Sequence, residues 1–319
     1  MTTHAINLLR RHIETHIVGQ KKLIERLLIA ILADGHLLIE GVPGLAKTTA
    51  VRALATGLDL SFQRIQFTPD LIPGDITGTD IFTPQTGAFQ FVSGPIFNEI
   101  ILADEINRAP PKVQSALLEA MQEQQVTVGG ISRKLSAVFV VIATQNPLEH
   151  EGTYPLPEAQ LDRFFMKITL DYPTADEELE ILRREEQTLA GRRAETPAAA
   201  MNKEQLLATR RQVNAIYLDE MLQRYIIALV NATRDPSPWL PEITAWISYG
   251  ASPRASLALA RAARALAYLR QRDFVEPGDI LDVAFDVLNH RLGLSFSARA
   301  EGVTRQQLIE QITAAVPIP

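Results

Sequence analysis

Four short apolar runs punctuate the first half of the chain, at residues 36–40, 62–67, 99–104 and 138–144, and a fifth follows at 166–170. Each is strand-length, and all five read as buried strands, although polar residues interleave at 62–67 and 166–170. Between them lie stretches with helical spacing of apolar positions, for example at 23–33, 48–58 and 111–123. Strands alternating with helices predict a parallel sheet with helices on both sides, an α/β core. Two segments break the rhythm. Residues 79–82 and 88–92 flank a Thr-Pro-Gln-Thr-Gly stretch and predict one hairpin. Residues 126–128 and 131–135 flank Gly129-Gly130, a pair suited to positive φ angles, and predict a second.

No strand pattern recurs after residue 171. Residues 187–200 are rich in Ala, Arg, Glu and Thr, contain Pro197, and read as a linker; five helical patterns follow, at 203–214, 219–234, 253–272, 277–288 and 304–314. The expected organisation is a nucleotide-binding α/β core over 1–186, a linker over 187–200 and a smaller all-α domain over 201–319. A chain of 319 residues is long enough for two such cores.

Charge and composition narrow the classes. Residues 1–175 carry 14 Lys+Arg against 18 Asp+Glu and residues 176–319 carry 17 against 19, so neither half shows the basic excess of a nucleic-acid binder. The absence of cysteine excludes disulfides, thiolate metal sites and thiol catalysis and fits a reducing compartment. His12 and His16, one helical turn apart among Arg10, Arg11 and Glu14, read as a solvated helix face rather than a metal pair. The N-terminal stretch lacks the apolar region of a signal peptide, and no apolar run approaches the roughly 20 residues of a membrane span. A cytoplasmic protein without membrane insertion is expected.

The candidate chemistry lies at the ends of the predicted strands. After the run at 36–40 the chain reads Gly41-Val42-Pro43-Gly44-Leu45-Ala46-Lys47-Thr48-Thr49 and enters a helix. This follows the phosphate-loop pattern G-x-x-x-x-G-K-[ST], with Ala46 where glycine is usual. Such a loop needs backbone N–H groups at a helix N-terminus for phosphate oxygens, a lysine for the β- and γ-phosphates and a hydroxyl for Mg²⁺. Residues 99–105, EIILADE, end an apolar strand in two carboxylates: Asp104 to hold Mg²⁺ with Thr48, and Glu105 to activate the attacking water. Residues 140–147, VVIATQNP, deliver Asn146 at a strand exit, where an amide can orient water or sense the γ-phosphate; Asn-Pro is otherwise a turn initiator. Arg163, in the run Gln160-Leu161-Asp162-Arg163-Phe164, can act as an arginine finger towards a neighbouring subunit or simply pair with Asp162. Arg254 follows Ser252-Pro253, an N-cap and a first-turn proline, and points either to nucleotide or to solvent.

These strings resemble the MoxR family of the AAA+ superfamily. GVPGLAKT with its alanine, LADEINRAPPKVQSALLEAMQE (102–123), ATQNPLEHEGTYPLPEAQLDRF (143–164) and Ser252-Pro253-Arg254 carry the likeness over nearly the whole chain. The resemblance implies a sheet of strand order 5-1-4-3-2, a helical lid and ATP or ADP with Mg²⁺ at the subunit interfaces of a hexameric ring. It makes residues 74–95 a helix-2 insert and 126–135 the hairpin before sensor 1. It also makes Lys47 and Thr48 the Walker A pair, Asp104 and Glu105 the Walker B pair, Asn146 sensor 1, Arg254 sensor 2 and Arg163 the finger, with Arg108 the other candidate. Val18, Gly19 and Gln20 resemble the segment that packs on adenine. The family further implies chaperone-like maturation of a protein client, including cofactor or metal insertion, and a separate partner with a von Willebrand factor A domain. Residues 235–239, DPSPW, lack the serine that would complete that domain's metal motif here. Two other readings compete. A nucleic-acid motor has only Arg133 and Lys134 to offer on the second hairpin, and a nucleotide-gated scaffold with little hydrolysis would not need Glu105.

Overall fold

The computed structural model describes residues 2–85, 87–147, 152–190 and 199–319. Part of the expected linker, residues 191–198, and Thr86 of the first hairpin turn lie outside them. Five core strands, β1 (Leu37–Glu40), β2 (Phe62–Gln66), β3 (Ile100–Asp104), β4 (Val140–Gln145) and β5 (Met166–Thr169), form one sheet in the order 2-3-4-1-5. This is the order the resemblance implies, read from the other edge. Register aligns the strand exits: Gln66 opposes Asp104, Ala103 opposes Ala143 and Glu40 opposes Gln145, all in parallel pairs. The loops that leave β1, β3 and β4 therefore emerge side by side on one edge of the sheet, where α/β folds bind ligands.

Burial follows the apolar runs for three strands. Leu37–Ile39 of β1, the first four residues of β3 and Val140–Ala143 of β4 are at most 1% exposed. β2 departs from the expected buried run. It is the sheet edge, and of its residues only Ile65 is buried while Gln63, Arg64 and Gln66 face outward. Both hairpins form, Gly78–Thr83 with Ala88–Ser93 and Gln125–Val128 with Ile131–Lys134. Gly129 and Gly130 take φ of +59° and +79°, which glycine adopts without steric cost. The helix Thr2–His16 corrects one expectation: His12 is only 2% exposed and its Nε2 lies 3.2 Å from Thr56 Oγ1 on the loop helix Lys47–Gly57. His12 thus faces the core and not the solvent. Apolar Leu9 and Ile13 flank it at helical spacing, and they set the face.

By compactness the chain forms two units whose limits differ from the expected 186/201 division. The first unit comprises Met1–Leu28, His36–Leu156 and Ile168–Leu207; the second comprises Ile29–Gly35, Pro157–Lys167 and Ala208–Pro319. Hydrogen bonding explains why the early segment Ile29–Gly35 belongs to the second unit. Arg210 donates through Nε to the Ile31 carbonyl at 2.8 Å and pairs with Asp34 at 2.6 Å, and Arg261 donates to the carbonyls of Ala33 and Asp34. These arginines satisfy carbonyls at the end of the helix Lys21–Leu32, which have no partner within it. The second unit is otherwise helical, with Leu259, Leu266, Ile280, Val283, Leu308 and Ile312 fully buried. One element there escaped the all-α reading: Ile247–Tyr249 pairs antiparallel with Gly293–Leu294. Three residues against two are too short to leave a pattern in the sequence.

Candidate active site

The phosphate loop is built by the turn from β1 into the helix Lys47–Gly57. Gly44 takes φ of +88°, and Ala46, the helix N-cap, takes φ 54° and ψ 20°. The left-handed region costs a non-glycine residue about 1–2 kcal/mol, so Ala46 bears strain that glycine there would not. Ala46 gives the helix no side-chain cap, which leaves the first backbone N–H groups to an anion. Lys47 Nζ donates to the Gly41 carbonyl at 2.6 Å, closing the loop on itself. Burial pushes the Lys47 ammonium below its ordinary pKa, and the carboxylates of Asp104 and Glu105 partly offset this.

The carboxylates at the exit of β3 are held by the strands on either side. Asp104 Oδ1 accepts from the buried Thr144 hydroxyl of β4 at 2.6 Å, and Asp104 Oδ2 accepts from Arg64 of β2. Thr144 also accepts from the Glu105 backbone N–H at 2.9 Å. One hydroxyl thereby positions both acids. Glu105 lies in the left-handed region, φ 57° and ψ 51°, and its Oε2 accepts from Gln66 at 2.9 Å and from Arg108 at 3.1 Å. Strained backbone at a strand exit is where active sites concentrate such conformations.

A cleft of about 380 Å³ joins these groups, lined by Pro43, Gly44, Ala46, Lys47, Thr48, Thr49, Arg64, Asp104, Glu105 and Asn146. Asn146 is 7% exposed. The expected Walker residues and sensor 1 therefore meet in one place. A second cleft of about 850 Å³ shares Pro43, Gly44, Ala46 and Thr49 with the first and extends over Ile17, Val18, Gln20, Tyr172 and Ile181. Gly19 takes φ of +64°, and a Cβ there would fall 2.1 Å from Glu177 Oε1. Val18 and Gln20 thus border a cavity of the size small-molecule sites have, with walls of mixed polarity. The donors suit Mg²⁺ with a nucleotide: Thr48 and Asp104 are hard oxygen ligands, and the ion keeps several waters rather than needing a protein cage. Among the described residues no cluster of three or more His, Asp or Glu could hold a metal alone.

Arg163 and Arg254 belong to the second unit. Arg163 is half-buried on the turn that closes the helix Glu158–Leu161, its N–H donating to the Gln160 carbonyl at 3.2 Å. The neighbouring Asp162 is a hub. It accepts from Ser252 at 2.8 Å and from Arg291 Nε at 2.9 Å, and Arg254 Nη1 lies 3.6 Å away. Arg291 is 4% exposed and also donates to the carbonyls of Asp162, Phe164, Phe165 and Val287. Burial pulls its guanidinium down to about 10 and Asp162 pulls it back up.

Sequence reasoning missed Arg64, Gln66, Thr144, Asp162 as a hub and Asn289-His290-Arg291. A signal existed for some. Arg64 and Gln66 are polar residues at the exit of a core strand, and Asn289–Arg291 is a polar triplet within an apolar stretch. Arg108, the other finger candidate, pairs with Glu105 at 3.1 Å from a partly exposed side chain.

A doubly wound sheet with a phosphate loop at β1, paired acids at β3 and an amide at β4 defines a P-loop ATPase fold. Residues 36–166 match the "ATPase family associated with various cellular activities (AAA)" and residues 243–312 match the AAA lid domain. The chain is 45% identical to Chaperone MoxR1 of Mycobacterium tuberculosis over 95% of its own length and 79% of that protein's. It is likewise 45% identical to the uncharacterized protein YeaC of Bacillus subtilis, over 97% of this chain and 93% of the other. A crystal structure of a candidate ATPase from Cytophaga hutchinsonii superposes with a TM-score of 0.93 at 48% identity, covering 100% of this chain and 96% of that one. The chain belongs to the MoxR family of AAA+ ATPases.

Proposed function

We propose that the protein hydrolyses ATP at this cleft, as one subunit of a ring, and uses the cycle to remodel a protein client. The observation that carries the reading is the convergence of an uncapped helix N-terminus, Lys47, the Thr48 and Asp104 oxygens and the Glu105 carboxylate in one cleft. The phosphate chain would lie along the Gly41–Thr49 backbone, with Lys47 released from the Gly41 carbonyl to the β- and γ-phosphates. Thr48 and Asp104 would hold Mg²⁺, which when bound neutralises charge on the phosphate oxygens. Glu105 would take the proton of the attacking water and Asn146 would orient that water, while Val18 and Gln20, with Gly19 between them in the chain, would border the space for adenosine.

A lone subunit lacks a positive group from outside its own cleft. Arg163 would supply it to a neighbour and Arg254 would answer the nucleotide, which makes the interface head-to-tail and closes a ring, six subunits being the proposal. The protein-client reading draws support from Chaperone MoxR1 and from the first hairpin, where Phe82 and Phe89 stack edge to face at 5.4 Å and are 51% and 73% exposed. An apolar surface of this kind suits protein better than nucleic acid. Arg133, one of the two basic residues of the second hairpin, instead lies 3.7 Å over the Phe91 ring and 3.7 Å from Asp80. Delivery of a cofactor or metal to the client, and a separate von Willebrand factor A partner, complete the proposal.

The test pairs two variants. Glu105→Gln is expected to bind ATP normally yet turn over at least about tenfold more slowly, because the base is lost and the phosphate contacts are kept. Lys47→Ala should lose nucleotide affinity itself. Unchanged turnover in the first, or normal affinity in the second, would overturn the reading.

A further inference from the structure

Arg64 lines the phosphate cleft without belonging to any motif that recommended the site. It stands on the edge strand β2, and its Nε and Nη2 both donate to Oδ2 of Asp104, at 3.0 and 2.6 Å. Nη2 also donates to Gln66 Oε1 at 2.7 Å. The other Asp104 oxygen takes the Thr144 hydroxyl at 2.6 Å. A carboxylate offers about four lone-pair directions, and three are thus engaged before any metal arrives. The guanidinium covers the oxygen that Thr144 does not contact, and a divalent cation on the same carboxylate would be brought against its positive charge. Two cations in contact on one oxygen repel. Asp104 is only 14% exposed at its side chain while Arg64 is 47% exposed, so the arginine is the partner free to re-aim.

The cleft offers it one new destination. Lys47, Thr48 and Asn146 line the same space, and any phosphate held there brings oxygens into the reach of a side chain that already borders it. A guanidinium binds phosphate in two-pronged fashion as readily as carboxylate. We propose that Arg64 is a phosphate-contacting residue, held on Asp104, that would move to the terminal phosphate of a nucleoside triphosphate when Mg²⁺ takes that carboxylate. With a diphosphate, displacement brings no compensating contact, so Arg64 opposes the metal; with a triphosphate, it rewards the exchange. The residue would therefore favour ATP over ADP. This rests on the phosphate-site reading above.

Equilibrium binding of the full-length protein tests it without relying on turnover. In one arm, MgCl₂ is titrated at fixed fluorescent ADP; in the other, affinities for ADP and for a non-hydrolysable ATP analogue are compared at saturating Mg²⁺. For Arg64→Ala the Mg²⁺ midpoint with ADP is expected to fall about fivefold, and the preference for the triphosphate to shrink about tenfold, the scale of one charge-assisted contact. Arg64→Lys, which keeps the charge but not the fork, should fall between the two proteins in both arms, and it serves as the reading should Arg64→Ala fold poorly. An unchanged or raised midpoint, or an unchanged triphosphate preference, overturns the proposal. If Lys47→Ala binds nucleotide normally, the phosphate-site reading has failed; if it does not, and Arg64→Ala moves neither arm, only the role of Arg64 has failed.

Discussion

The side-chain amide of Gln66 donates to Oε2 of Glu105 at 2.9 Å, tying the carboxylate proposed as water activator to the strand beside it. Arg108 donates to the same oxygen. These two donors fill both lone pairs of Oε2, so that oxygen cannot also accept from an attacking water. Gln66→Ala should therefore raise basal ATP turnover about threefold or more, the scale of one hydrogen bond to a charged group, with nucleotide affinity unchanged. Steady-state hydrolysis with a parallel binding titration checks this. A fall in turnover would instead make Gln66 a residue that positions Glu105 productively.

Arg163 gives a prediction about assembly. If it acts in trans, turnover per subunit rises with protein concentration, and Arg163→Ala binds ATP but hydrolyses it about 10³-fold more slowly. Mixing Arg163→Ala with Lys47→Ala should restore part of the activity, since each Lys47→Ala subunit can lend its arginine to a neighbour with an intact loop. No rescue at any ratio, together with turnover independent of concentration, would remove the finger assignment.

Asp162 supports a stability prediction confined to the second unit. Its pair with Arg291 is almost wholly buried on the arginine side, 2% exposed against 19% for the aspartate. Asp162→Ala leaves that cation without its counter-charge, a change that costs about 3–5 kcal/mol for buried pairs. Ser252→Ala removes a donor to Asp162 and an N-cap that accepts from the Arg254 N–H, and should cost about 1 kcal/mol. Denaturation of the two variants under identical conditions ranks them. Equal, small losses would mean the ion pair contributes little.

Acid sensitivity follows from two histidines. Burial first, then the Arg291 charge, pushes His290 well below 6.5; burial first, then His16, lowers His12. Both groups bind protons more readily in the unfolded chain, so their contribution to stability is complete above about 6.5 and drains as the pH falls through that value. The melting temperature is expected to be lower at about pH 5.5 than at about pH 7.5. His290→Gln, which keeps a donor for the Phe164 carbonyl now met by Nε2, should flatten this slope. A variant as acid-sensitive as the unmodified protein would acquit His290.

The sequence by itself determined the parts of this protein whose physics is local. Continuous apolar runs marked β1, β3 and β4, because a strand buried on both faces has no polar alternation. The loop from Gly41 to Thr49, the paired acids at Asp104 and Glu105 and the amide of Asn146 were legible because each sits at the exit of such a run, and strand exits in a parallel sheet share an edge. Tertiary structure alone decided what lies beside them. Whether the Phe62–Gln66 run was central or edge depended on strand order, which periodicity does not encode; as the edge, it turns Arg64 and Gln66 onto Asp104 and Glu105. The burial of His12 depended on the loop helix packing over it, and the hub at Asp162 on Arg291 returning from a position 129 residues away. Contacts at such separation leave no spacing to read. They exist because buried donors and acceptors must find partners, and only the folded chain says which ones are near.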